Sequence, residues 1–209
     1  MNENEKKFYY KNIFEKRRAV MGRTFVIGIS GASASGKSTV SEHLKQLLEN
    51  DYKVQLIHMD EYYKKEIDRP QIYGISDGVE YIDDNHPMAL DLDQCYLDVQ
   101  KAIGKYDILM IEGLFSLWDE KIFILLDLKV FVDCDSDERF ARRVLRNLSF
   151  GQNLREITSR YVQAVQPRQR EYVEPTKWKA DIILNGFLQT SKGVEIIVNW
   201  IHQQLSYNK

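Results

Sequence analysis

Residues 28–40 read GISGASASGKSTV, a run of glycine, alanine and serine that ends in Lys37, Ser38 and Thr39. TFVIGIS at 24–30 leads into it as a buried-strand pattern. The stretch SGKSTVSEHLKQLLEN follows it, with Val40, Leu44, Leu47 and Leu48 on one helical face. Residues 31–38, GASASGKS, therefore fit G-x-x-x-x-G-K-[ST] in the strand–loop–helix setting that the motif requires. Gly31, Ala32, Ser33, Ala34, Ser35 and Gly36 form a loop whose backbone N–H groups can wrap phosphate oxygens. The two glycines keep side-chain carbon out of the way. The helix beginning near Gly36 adds the positive end of its dipole. Lys37 places a cation on the outer phosphates, and the Ser38 hydroxyl can ligate Mg²⁺. ATP and Mg²⁺ are the expected ligands, while the loop says little about the reaction.

Working outward, KVQLIHMD (53–60), YDILMIEG (106–113), LKVFVDCD (128–135) and ADIILNG (180–186) are four further apolar strands, and SKGVEIIVNWIHQQL closes the chain as a helix. Strands that are apolar along their whole length and alternate with helices imply a parallel sheet covered on both faces. The expected class is α/β, a P-loop NTPase fold with a five-stranded parallel sheet and a helical, arginine-rich lid. With 209 residues, 44% of them apolar, the chain suits one domain over 22–209 with its lid around 136–170. Residues 1–21 carry Phe8, Tyr10, Ile13, Phe14 and Val20 at helical spacing, an arm to be packed on its own domain or on a second subunit.

A net charge of -2 gives no reason to expect nucleic-acid binding. Cys95 and Cys134 form no CxxC pair, and the charged N-terminus does not read as a signal peptide. The most apolar window, 122–132, is broken by Asp127 and Lys129 and is too short for a membrane span. A cytoplasmic protein that binds neither membrane nor nucleic acid is expected. Oligomeric state is left open, with a homo-oligomer among the readings.

The chemistry needs more than a cradle. Glu112 follows ILMI at the carboxyl edge of a strand, where open parallel sheets bind ligands, and is the expected metal-side acid. Asp60 ends the 53–58 strand, expected beside the strand that leads into the loop, and is the expected base for an acceptor hydroxyl. Tyr62 and Tyr63 could line an acceptor pocket, whereas His58 reads as incidental. Asp133 and Asp135 read as caps of the next helix. In DERFARRVLRNL (137–148), Arg139, Arg142, Arg143 and Arg146 fall at i, i+3, i+4 and i+7, one cationic face opposite Phe140, Val144 and Leu148. A lid that presents arginines to phosphates would use such a face.

Taken together, GISGASASGKSTV, HMDEYYK, NHPMALD (85–91), MIEG, ERFARRVLR and EPTKWKADIILNG (174–186) resemble the uridine kinase and phosphoribulokinase family of P-loop kinases, in the family's order. The resemblance implies Asp60 as catalytic base alongside Lys37, and Ser38 with Glu112 on the magnesium side. It also implies Arg142, Arg143 and Arg146 as ATP-binding lid arginines, and a loop near the adenine after the ADIIL strand. Asp83, Asp84, Asn85 and Tyr62 become expected substrate contacts. Three departures stand out. Asn85 occupies the place of an aspartate that holds ribose hydroxyls in uridine kinases. Residues 88–111 read as one helix and one strand, without the hairpin that builds the nucleobase pocket there. NLSFGQN follows Arg146 where a more basic sequence is usual. The acceptor expected is a small-molecule hydroxyl, the 5′-hydroxyl of uridine or cytidine first. Nicotinamide riboside, pantothenate or a sugar phosphate are alternatives, as is an ATP-binding regulatory protein without turnover. The N-K-x-D element of a GTPase is absent.

Overall fold

The computed structural model describes residues 24–74, 76–186 and 191–206. The expected arm at 1–21 and the loop at 187–190 lie outside the described residues. Five strands form one parallel sheet: β1 (Phe25–Ser30), β2 (Val54–His58), β5 (Ile108–Glu112), β6 (Leu128–Asp133) and β7 (Ile182–Asn185). Two short strands, β3 (Gln71–Tyr73) and β4 (Glu80–Ile82), pair antiparallel as a separate hairpin. The helices are α1 (Lys37–Leu48), α2 (Leu92–Ala102), α3 (Glu120–Phe123), α4 (Ser136–Ser149), α5 (Leu154–Arg160) and α6 (Ser191–Ser206). From α5 the chain winds on to Val173 with wide π-type turns at Tyr161–Val165 and Gln169–Val173.

The order across the sheet is β2-β5-β1-β6-β7. This corrects the expectation that β2 lies directly beside β1, because β5 comes between them. Burial explains the placement. Every residue of β5 is buried, so it takes an interior position, whereas β2 keeps Val54, Gln55 and His58 half-exposed and β7 leaves Ile183 and Asn185 exposed, as suits edge strands. Alternate residues then serve opposite faces. Val26, Leu109 and Ile111 pack with Phe115, Leu117 and Val99 on one side. Ile27, Ile29, Ile108, Met110 and Val130 pack on the other against α1 and α6, through Leu44, Leu48, Ile197 and Ile201. Both faces are covered, as expected.

The sheet's carboxyl edge thus gathers the ends of β1, β2, β5 and β6. The cradle opens α1, Asp60 lies in the 3₁₀ turn Met59–Tyr62 after β2, and Glu112 ends β5. Residues 88–111 hold no hairpin, as expected. One lies instead just upstream, its strands at 71–73 and 80–82, and packs on α5 through a Tyr81–Ser159 hydrogen bond and on the turn after it through Ser76–Gln163.

Candidate active site

Gly36 caps α1 with φ of 96°, a conformation that side-chain-bearing residues rarely adopt. A Cβ on Gly31 would lie 2.5 Å from the Val132 carbonyl oxygen and 2.6 Å from Ser35 Oγ. The glycines therefore let the cradle press against β6. Beside it lies a cavity of about 480 Å³ lined by Ala34, Gly36, Lys37, Ser38, Thr39, Arg142 and Arg146. Three cations converge on it.

Glu112 is only 3% exposed and is held from three sides. Its Oε1 accepts from Ser38 Oγ at 3.1 Å and meets Lys37 Nζ at 3.4 Å, while its Oε2 lies 2.8 Å from His58 Nδ1. The other nitrogen of His58 lies 3.4 Å from Glu42 Oε1 on α1. Burial pulls the imidazole pKa down, but the hydrogen bond and charge of Glu112, with Glu42, outweigh it and hold the group above its ordinary value. His58, read from the sequence as incidental, thus carries contacts on both ring nitrogens; its strand-end pairing with Glu112 depends on β5 lying next to β2.

Asp60 opens onto the cleft, yet the protein crowding it desolvates its carboxyl. That raises its pKa, with Glu112 adding to the rise, against the opposing charges of Lys37, His58 and Arg146. A carboxyl so tuned is better suited to accept a proton near neutral pH than an ordinary surface aspartate.

The arginine face is divided. Arg139, 5% exposed, is locked by the Cys134 carbonyl, Gln169 and Glu174. This corrects its expected place on the phosphate face: it sits in the first turn of α4, where the helix meets the 169–174 segment, whereas Leu145 and Leu148 are exposed. Arg142 pairs with Glu138 and donates to the Gly186 carbonyl oxygen at 2.9 Å. Arg143 reaches Ser33 Oγ at 3.4 Å, and its buried Nε has no hydrogen-bond partner among the described residues. Burial, with Arg146 and Arg160 nearby, pushes its pKa down to about 10. A cation so placed favours an anion.

Asp135 stands at the N-cap of α4 without a side-chain cap bond, and Asp133 pairs with Lys177, so neither caps as expected. On the acceptor side, Asp84 is held between Arg69 and Arg160, and Asp83 is buried with Oδ2 on Arg168 Nε. Asn85 is buried and makes no side-chain hydrogen bond among the described residues. Tyr62 turns away from the group, donating to Asp98 on α2 at 3.4 Å and lining a groove with Gln55, Lys101 and Tyr106. Tyr63 takes the inward place. It donates to the Asp84 carbonyl oxygen, and burial, with Asp60 and Asp84 nearby, raises its pKa.

The donors offered by Ser38 and Glu112 are oxygens, which suits a hard divalent cation. Among the described residues no cluster of three or more acidic, histidine or cysteine side chains could hold a metal unaided. An ion here would draw its remaining ligands from nucleotide phosphates and water, as Mg²⁺ commonly does.

Gly186, just past β7, closes the site. A Cβ there would meet the Ser35 carbonyl oxygen at 1.9 Å. Gly186→Ala is expected to displace the cradle and lower turnover about 10²-fold, the cost of a misplacement near 1 Å. The far-ultraviolet circular dichroism spectrum should stay native, and wild-type turnover in the variant would show the contact to be tolerated.

A phosphate cradle under an arginine-bearing helix, with two carboxylates beside it at the sheet's carboxyl edge, defines a P-loop phosphotransferase. The model of the Phosphoribulokinase / Uridine kinase family matches residues 81–191, and the chain belongs to that family. It is similar to the uridine kinase of Lactococcus lactis subsp. cremoris, 31% identical over an alignment spanning 87% of this chain and 97% of that one. It is also similar to the uridine kinase of Brevibacillus brevis, 34% identical over 78% and 86% respectively. A solved structure from Silicibacter sp. TM1040 shares the fold, with a TM-score of 0.59 at 16% identity over 84% of this chain and 96% of that one. The chain is a kinase, a phosphotransferase acting on a hydroxyl group. No helix among the described residues is long and apolar enough to cross a membrane.

Proposed function

We propose that the protein transfers the γ-phosphoryl group of Mg·ATP to the 5′-hydroxyl of uridine or cytidine. The observation that carries the reading is the convergence of Lys37, Ser38, Glu112 and Asp60 at the mouth of the glycine cradle, beneath Arg142, Arg143 and Arg146. Lys37 and the lid arginines neutralise charge on the transferred group. Ser38 and Glu112 would hold the ion, which draws negative charge off the phosphate oxygens when bound. Asp60 accepts the proton of the attacking hydroxyl. Asn85 offers an uncharged amide, both donor and acceptor, to sugar hydroxyls. Uridine as acceptor is supported by the names of the relatives.

The test is acceptor-dependent ADP release from Mg·ATP across nucleosides, nicotinamide riboside, pantothenate and pentose phosphates. Stimulation by uridine or cytidine is expected. Stimulation by another acceptor alone would redirect the chemistry to that molecule. ATP binding without any acceptor-dependent release would make the chain a nucleotide-binding regulator.

A further inference from the structure

His58 and Glu112 are register partners at the last positions of β2 and β5, so their side chains emerge side by side at the carboxyl edge. The pair is short, 2.8 Å between Nδ1 and Oε2, and the opposite ring nitrogen faces Glu42 on the cradle helix at 3.4 Å. A line of polar contacts therefore runs from Glu42 through His58 and Glu112 to Ser38. Glu112 has two equivalent oxygens and a soft terminal torsion. Left alone, its carboxylate could turn either oxygen, or neither, toward the ion. A hydrogen bond that pins Oε2 leaves Oε1 aimed at Ser38 and Lys37, an outer support of the kind that orients metal ligands elsewhere. His58 also lies two residues before Asp60, so the same contact fixes the root of the turn that carries the base.

We infer that His58 is a positioning residue, which holds Glu112 in the orientation that receives the nucleotide-bound divalent cation. The inference rests on the metal-side role of Glu112 proposed above. Its atoms are specific: an Nδ1–H donor to Oε2, with the imidazole steadied from behind by Glu42. Asparagine places an amide N–H close to where Nδ1 stands, whereas leucine fills the space and donates nothing.

Calorimetric titration of ADP, with and without Mg²⁺, separates positioning from simple structural support. In the wild type, Mg²⁺ should tighten ADP binding, and Glu112→Gln should remove most of that gain. His58→Leu is expected to lose about 10–100-fold of the Mg²⁺-dependent gain while its metal-free ADP affinity stays at the wild-type value. His58→Asn should recover most of the loss. Should His58→Leu keep the full gain while Glu112→Gln loses it, the inference about His58 fails and the metal-side role of Glu112 stands. A fall in metal-free affinity equal to the fall with Mg²⁺ would make His58 a structural residue and overturn the inference. The absence of any Mg²⁺ effect in the wild type would remove the role of Glu112, and that of His58 with it.

Discussion

Asp60→Asn is expected to cut acceptor-dependent ADP release by about 10²–10⁴-fold, the usual contribution of a positioned general base, while ATP affinity stays near the wild-type value. The amide matches the carboxylate in shape but cannot take a proton. Asp60 lies on the turn after β2 and is not among the residues that line the cradle cavity, so an amide of the same shape there leaves the contacts of Lys37, Ser38 and the lid arginines in place. The pH profile gives an independent check. Only the ionised carboxylate can act as base, and crowding by protein raises its pKa above the ordinary aspartate value. The wild-type rate should therefore fall as pH drops, with an acid limb displaced toward neutrality, and the asparagine variant should lack that limb. Equal rates for the two proteins in steady-state assays would remove Asp60 as the base.

Lys37→Ala should damage both binding and turnover. Lys37 is buried, and its Nζ lies 3.4 Å from a carboxylate that is itself almost wholly buried. Removing one member of a buried ion pair costs about 3–5 kcal/mol, because Glu112 would keep its charge with only Ser38 and His58 beside it. The nucleotide would lose the cation on its outer phosphates as well. A double variant separates the two effects. Lys37→Ala with Glu112→Gln should regain thermal stability, since no charge is then stranded, yet remain without turnover. Unchanged ATP affinity in the single variant would count against the cradle as the nucleotide site.

Much of this arrangement is legible in the sequence because its signals are local. The cradle motif, five apolar strand patterns and the acids at strand ends each fall within a few residues. What escapes is set by contacts between distant segments. Strands β3 and β4 span three residues each, too few for a periodic pattern. Helical spacing places Arg139 with the lid arginines, but it cannot show that Gln169 and Glu174 return to bind it. Tyr62 is the expected acceptor contact, yet the turn after β2 points it toward α2 and brings its neighbour Tyr63 to Asp84 instead. His58 acquires its role only because β5 inserts between β2 and β1.

That strand order also governs how the chain can fold as it leaves the ribosome. Both neighbours of β1 emerge long after it: Phe25 pairs with Ile108, and Ile27 with Leu128. β2 likewise has no partner until β5 is made. At about 5–20 residues per second, the two leading strands wait several seconds with open edges, and then β5 unites them in one step. The nucleotide cradle is translated before these partner strands, but it can be set in place only when β5 and then β6 arrive. Premature termination before residue 108 would leave two unpaired apolar strands, a species for chaperones to hold or proteases to clear.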